Sequence, residues 1–515
     1  MLVLGGGLAA TWAASAAAQA GAQVVLADKG FCGTSGVTAT AGPGHWWVPP
    51  DGRDAAIRER EAVAEGLAER RWMARVLDET WRTLPTLAAH YAFPRDEAGA
   101  VQYRNLRGPE YMRAMRRLAL RSGVRILDGH PALELLLHAD GSAAGAAGIE
   151  RVTGAPWTVR AGAVALATGG CAFMSRLLGC HTNTGDGALM AAEAGAELSG
   201  MEFSACYTVA PAFSTMTRSM SYAFATYTDG GGRVLDIPAG RGTAPALAQA
   251  MEAGPVFCCL HRMPADIRAR LPSIQPNLML PFVRHGIDPF TERFPVALRG
   301  EGTIRGTGGL RIAGDDCTTA VPDLFAAGDV ATRELVAGAV SGGGAQNSAW
   351  ALSSGRWAGQ AAAARSRALG RRVDRPAAAA GEAGLRPRRR RRADPEVLRA
   401  AVAAVQAEML PPGKALFRSG AALQASAERM DALWTGLRDH AGAGGPAALR
   451  SREAAALTVH ARWCLRAALA RTESRGMHHR TDAPARDPCL AHRLVVAGLD
   501  QIEVRPHRAP AEAAA

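Results

Sequence analysis

Lysine is nearly missing from this 515-residue chain: Lys29 and Lys414 are the only two, although Lys and Arg together number 59 and the net charge is +12. The positive charge is therefore almost all arginine. With heavy Ala and Gly usage it reads as a composition bias of the whole sequence, so the charge is no argument for a nucleic-acid partner, and none is expected. The nine cysteines are scattered and none forms a C-x-x-C pair, which argues against zinc, against an iron–sulfur cluster held by this chain and against a disulfide scaffold. No metal is expected. No stretch approaches ~18 apolar residues without charge, so no transmembrane segment is expected. The start lacks a charged region followed by an apolar run and a cleavage site, so it does not read as a secretory signal, and a cytoplasmic location is expected. Aromatic residues are few, at 5%, but hydrophobic content is 48%, enough for the large core of two or three domains.

What is present starts at once. Leu2-Val3-Leu4 is an apolar run that stops at Gly5-Gly6-Gly7, an Ala-rich helical segment follows from Leu8 to Ala20, and Val24 to Ala27 is a second apolar run closed by Asp28. Gly5, Gly7 and Ala10 fit G-x-G-x-x-G/A: the first glycine makes a tight turn, the second admits a pyrophosphate, and the third small residue lets helix and strand pack closely. Asp28 lies about twenty residues on, where a carboxylate accepts hydrogen bonds from a ribose. Dinucleotide binding follows from strand, turn, helix, strand and acid together. Only four residues precede Gly5, fewer than the five or six usual in a strand, which points to a true start upstream.

Beyond Asp28 comes a Gly/Thr/Ser/Pro loop over 31–50, then helical spacing over 54–90 and 111–121. Strands are expected over 124–127, 132–137, 144–150, 157–159 and 163–167. From 204 to 303 the βα rhythm gives way to an irregular stretch rich in Pro, Gly, Met and aromatics, read as an inserted domain. The α/β pattern resumes at Gly308 and runs to a helix over about 345–368. The run Arg388 to Arg392 and the alanines Ala377 to Ala380 mark a disordered, solvated linker by composition. Helices in three segments follow.

Nine motifs then appear in an order that resembles the succinate dehydrogenase and fumarate reductase flavoprotein subunits. Among them are Gly5-x-Gly7-x-x-Ala10, Asp28-Lys29-Gly30, Gly33-Thr34-Ser35, Ala167-Thr168-Gly169-Gly170, Thr184-Gly185-Asp186-Gly187, Met201-Glu202-Phe203, Ala326-Ala327-Gly328-Asp329 and Glu473-Ser474-Arg475-Gly476-Met477-His478. The same order looks like L-aspartate oxidase and, more distantly, the adenylylsulfate reductase α subunit. The resemblance implies a Rossmann-like α/β FAD-binding domain with an inserted α+β capping domain and a C-terminal helical bundle. The expected division is 1–203 and 304–370 for the FAD domain, 204–303 for the cap, 371–393 for the linker and 394–515 for the helical domain. It implies FAD as cofactor, with Asp28 on the adenosine ribose, the Gly5 to Ala10 turn on the pyrophosphate, and Thr34 and Ser35 near pyrophosphate and ribityl chain. Thr168 and Gly169 close the second crossing, Gly328 and Asp329 take the ribityl chain, and Gln346, Asn347 and Ser348 open a helix aimed at the flavin ring. Lys29 and Asp186 are carried over as cofactor-binding with their motifs. The flavin is expected to be non-covalent, because Gly36 stands where membrane-bound relatives carry a flavin-linking His.

The catalytic pattern departs from the family. Its two substrate-side His positions read Tyr207 and Ile304, and its substrate-binding Arg reads Ser341. Tyr207 as donor or proton relay and Arg305 as anion clamp are the candidate replacements, with Arg241 in the insert as a further cation. The leading expectation is an FAD-dependent oxidoreductase acting on a small anionic substrate other than succinate or fumarate. Two alternatives stand beside it: a flavoprotein subunit that exchanges electrons with an iron–sulfur or ferredoxin-like partner, and a flavin-binding scaffold without catalysis.

Overall fold

In a computed structural model of the chain, a parallel sheet runs in the order Leu324–Ala326, Val164–Leu166, Leu2–Leu4, Val25–Asp28 and Arg125–Asp128. The structure describes residues 1–515 apart from 96, 97, 105, 217–219, 275, 342, 371–373, 390–393, 441, 443, 444 and 508–515. Leu2–Leu4 and Val164–Leu166 are apolar and wholly buried, as strands covered on both faces must be. From Leu4 the chain turns through Gly5, whose φ of +115° and contact with the Ala167 carbonyl leave no room for a side chain. Helix Leu8–Gln19 then packs on the long helix Gly343–Leu369. A methyl at Gly355 or Gly359, one turn apart, would collide with the carbonyls of Ala9 and Ala13. Small residues on both sides bring the two backbones close, which is why an Ala-rich helix with no strong polar face is buried almost all round.

Three antiparallel sheets complete the strands. Ala132–His138, Ala143–Ile149 and Pro156–Arg160 form a meander, close to the stretches where strands are expected. Its fourth strand corrects the sequence reading: Ala377–Ala379, inside the expected linker, pairs antiparallel with Leu136 to His138. Paired backbone supplies order there that side-chain composition does not reveal, and the following Arg386 is ion-paired with Glu134. Residues 390–392 of the arginine run lie outside the described residues. A third sheet orders Gly309–Leu310, Leu198–Ser199, Leu494–Ala497 and Glu503–Pro506.

Within the insert, Thr226–Thr228, Phe257–Cys259, Phe294–Gly300 and Tyr207–Pro211 make an antiparallel sheet with its own apolar cluster around Leu247, Phe282 and Phe294. The register sets Tyr207 opposite Gly300 and Thr208 opposite Arg299. Helices Pro395–Met409, Gly420–His440 and Pro446–Ala470 follow. Among the described residues no helix is long and apolar enough to cross a membrane.

Candidate active site

The parallel strands end at one face, and a cleft of about 1500 Å3 lies along it. Gly5 and Gly7 form its floor, and Ala10 is buried behind the turn in the core. Asp28 ends its strand with the carboxylate lying over Gly6, where a methyl would collide with it. Ser35 donates to that carboxylate at 2.5 Å. Burial raises the Asp28 pKa, outweighing the Ser35 hydrogen bond. Thr168 and Gly169 line the next strand end, Gly328 and Asp329 the one beyond, and Gln346, Asn347 and Ser348 the first turn of helix Gly343–Leu369.

The fit to a dinucleotide rests on atoms that the protein leaves unpartnered. Thr168 Oγ1 and both amide atoms of Asn347 are buried on the cleft wall with no hydrogen bond from the described residues. Buried polar groups are paired in nearly all native proteins, so these unpartnered atoms fit a bound dinucleotide.

Three carried-over residues behave differently. Thr34 is exposed, is not a wall of the cleft, and donates to the Phe31 carbonyl at 3.1 Å, so it caps its own turn. Lys29 and Asp186 border the cleft, but they meet each other at 2.6 Å. Lys29 also reaches Glu453 at 3.2 Å and Thr184 at 2.9 Å. Burial opposes the Lys29 charge, yet the two carboxylates outweigh it and raise its pKa. The group ties the strand end to helix Pro446–Ala470.

Arg333 escaped the sequence reading. It is buried, pairs with Asp329, and donates to the carbonyls of Thr303, Ile304 and Gly306. Its spacing four residues after Asp329 was the available signal. It fixes the position of Asp329 on the cleft and joins it to the segment that carries Arg305.

At the cap end the candidates separate. Tyr207 lines the cleft, but its hydroxyl donates to the Leu410 carbonyl at 2.8 Å, and burial pushes its pKa up. Its donor is spent on the helical domain, which removes the relay role. Ile304 is buried against Ala172, Leu177 and Cys180, so apolar packing fills the place of the family His. Ser341 accepts from Gly343 and adds no cation. Arg241 is exposed and reaches the Val63 carbonyl at 3.4 Å; it is not a wall of the cleft, although Gly240 and Thr243 on either side of it are. Arg305 does line the cleft. Its Nε is buried without a hydrogen bond, 3.7 Å from Glu301. Glu301 is wholly buried where strand Phe294–Gly300 ends, and it accepts from Thr208 at 2.7 Å. Cap and FAD domain thus meet at Thr208, Glu301 and Arg305. The i,i+4 spacing of Glu301 and Arg305 was legible, whereas Thr208 needed the strand register.

Gly36, at φ +79°, packs against the Gly7 Cα and offers no nucleophile, while His45 is buried 3.3 Å from the Tyr111 hydroxyl. Burial holds His45 down near a pKa of about 3. The Met-Glu-Phe acid, Glu202, accepts a hydrogen bond from Arg471 Nε at 2.9 Å and is ion-paired with that guanidinium, which also pairs with Glu473, and Glu473 with Arg475. These pairs form an ion-pair lattice that anchors the tail. Nearby Glu334 is buried and bonded by Ser199; burial first, then the Glu202 charge, push its carboxyl up.

The family described as "FAD binding domain" matches residues 79–346, and the one described as "fumarate reductase flavoprotein C-term" matches 408–510. A fumarate reductase flavoprotein subunit of Mycobacterium tuberculosis is 28% identical over 425 residues, covering 70% of this chain and 68% of the relative. The fold is similar to that of the FrdA chain of E. coli quinol fumarate reductase, with a TM-score of 0.81 at 21% identity, covering 98% of this chain and 95% of that one. It is also similar to adenylylsulfate reductase from Archaeoglobus fulgidus, with a TM-score of 0.77 at 16% identity and coverage of 98% and 94%. The chain belongs to the succinate dehydrogenase and fumarate reductase flavoprotein family, and it is an FAD-dependent oxidoreductase.

Proposed function

We propose that this oxidoreductase acts on a small substrate with one anionic group, and that succinate and fumarate are not its substrates. The observation that carries the reading is the cap end of the cleft, where Arg305 stands beside the family positions Tyr207 and Ile304, Ser341 adds no cation, and the further wall cation Arg270 is already paired with Asp266. A desolvated carboxylate without a cation or strong donor is costly. One anchored end is supported; a second lacks its partner.

FAD supplies hydride or electron-pair transfer at its ring when bound. The chain's own residues hold it: Asp28 and Ser35 at the ribose end, Thr168 and Asn347 along the wall, and Asp329, held by Arg333, beside the ribityl chain. Retention is non-covalent, because Gly36 stands in the linking position. Acid precipitation should leave the flavin in the supernatant; colour that stays with the peptide would contradict this.

The relative from M. tuberculosis is named a subunit. This favours an electron-transfer partner for the present chain, of iron–sulfur or ferredoxin type, which co-purification would reveal. The test of the substrate reading is anaerobic mixing of the flavin-loaded protein with succinate, fumarate, monocarboxylates and sulfur oxyanions, following flavin absorbance. A flavin that responds to none of them would support the scaffold alternative instead.

A further inference from the structure

We propose that Tyr222 is the second substrate contact of the cleft, and that the substrate is a monocarboxylate with an apolar body. This rests on the reading of Arg305 as the anion anchor and goes beyond it.

Tyr222 lies in the cap and forms part of the cleft wall, and its hydroxyl is buried with no hydrogen bond from the described residues. Other polar side chains at this end are engaged. Thr208 donates to Glu301, Tyr207 to the Leu410 carbonyl, Thr243 to the Pro238 carbonyl at 2.7 Å, and Arg270 to Asp266 at 2.8 Å. Among the described residues, the Tyr222 hydroxyl and Arg305 Nε remain as buried donors without a hydrogen bond, Arg305 Nε lying 3.7 Å from Glu301. An unpaired buried hydroxyl costs stability until a ligand satisfies it. Burial pushes the Tyr222 phenol well up, so it stays a donor at neutral pH.

The rest of this wall is Val209, Ala244, Ile304 and the ring of Tyr207, together with the polar groups Thr208, Thr243 and Arg270 that are already engaged. Glu301 already offsets part of the Arg305 charge from behind. A first carboxylate meets a guanidinium and a phenol; a second would face hydrocarbon and pay its desolvation uncompensated. A hydrocarbon chain in the same place gains from burial.

Crotonate and fumarate share a carbon skeleton and differ by a methyl in place of one carboxylate, so they are the probes. Binding to the oxidised, flavin-loaded protein is read by calorimetry and by the shift of the flavin spectrum. Crotonate is expected to bind at least tenfold more tightly than fumarate, and Tyr222→Phe to weaken it about tenfold. Tyr227→Phe is the control: its hydroxyl is also buried and unpartnered in the cap, but it is not part of the cleft wall, so crotonate binding should not change. Ligand-free Tyr222→Phe should melt no lower than wild type, because it removes an unsatisfied group. A lower melting temperature would show that the hydroxyl has a structural partner and would overturn its role. So would wild-type crotonate affinity in Tyr222→Phe when Arg305→Gln has lost it, with the Arg305 reading intact. Fumarate binding as tightly as crotonate would overturn the substrate class. Undiminished crotonate affinity in Arg305→Gln would instead remove the underlying anchor.

Discussion

The hydroxyl of Tyr207 donates to the carbonyl of Leu410 at 2.8 Å, across 203 residues of chain. The residue at the family's His position therefore fastens the first cap strand to the helical domain. Tyr207→Phe should lower stability by about 1 kcal/mol, the usual worth of one such bond, seen as a lower denaturation midpoint. An unchanged midpoint would mean that the hydroxyl is free for other work.

Asp28 and Gly7 are expected to govern flavin retention. Gly7 has open space toward the cleft, its added Cβ meeting only the Gly36 Cα at 3.9 Å. Gly7→Val should thus fold and yet fill the pyrophosphate's place, giving colourless protein with a normal circular dichroism spectrum. Asp28→Asn should weaken flavin by roughly 1–3 kcal/mol through poorer ribose pairing. Flavin-free Asp28→Asn should be no less stable than wild type, since burial already disfavours the ionised acid. Full flavin content in both variants would refute the assignment.

Lys29 sits between Asp186 and Glu453, all three largely sheltered from water. Lys29→Met strands two carboxylates and should cost about 3 kcal/mol, the scale for breaking a buried pair. Limited proteolysis should then reach helix Pro446–Ala470 earlier than in wild type. A loss confined to flavin affinity, with stability intact, would restore Lys29 as a cofactor contact.

The acid–base behaviour of the core turns on Glu334. Its carboxyl is pushed up to about 8, against 4.5 when unfolded, by burial and by Glu202. The folded state then holds more protons at Glu334 than the unfolded one in that window, so the contribution of Glu334 to stability is full below 4.5 and is lost as pH rises towards 8. Glu334→Gln should flatten this slope and exceed wild type in melting temperature at pH 8 to 9. Equal slopes in the two proteins would show that Glu334 does not titrate there.

Local patterns made much of this legible. The Gly5 to Ala10 turn, Asp28 and the strands near 132–138, 143–149 and 156–160 rest on spacing within a few residues, and the structure has them there. The Ala377–Ala379 strand was missed because alanine carries no strand signal and its partner lies far back in the chain. Thr34 and Ser35 are adjacent hydroxyls, and only the folded turn decides that Ser35 reaches Asp28 while Thr34 does not. Arg241 was placed by its presence in the insert, but the cap turns it towards Val63. Tyr222 lies in an irregular stretch with no periodicity to mark it. Side chains whose role depends on contacts across a hundred residues or more are invisible to spacing.

The central claim is that the substrate end of this flavoprotein anchors one anionic group, through Arg305. Its most direct measurement is the rate of flavin reoxidation after the reduced protein is mixed anaerobically with fumarate or with crotonate, in wild type and in Arg305→Gln. The account predicts saturable reoxidation by crotonate that falls at least tenfold in Arg305→Gln, with slow, non-saturating reoxidation by fumarate. Rapid, saturable turnover of fumarate in wild type that survives in Arg305→Gln would contradict it.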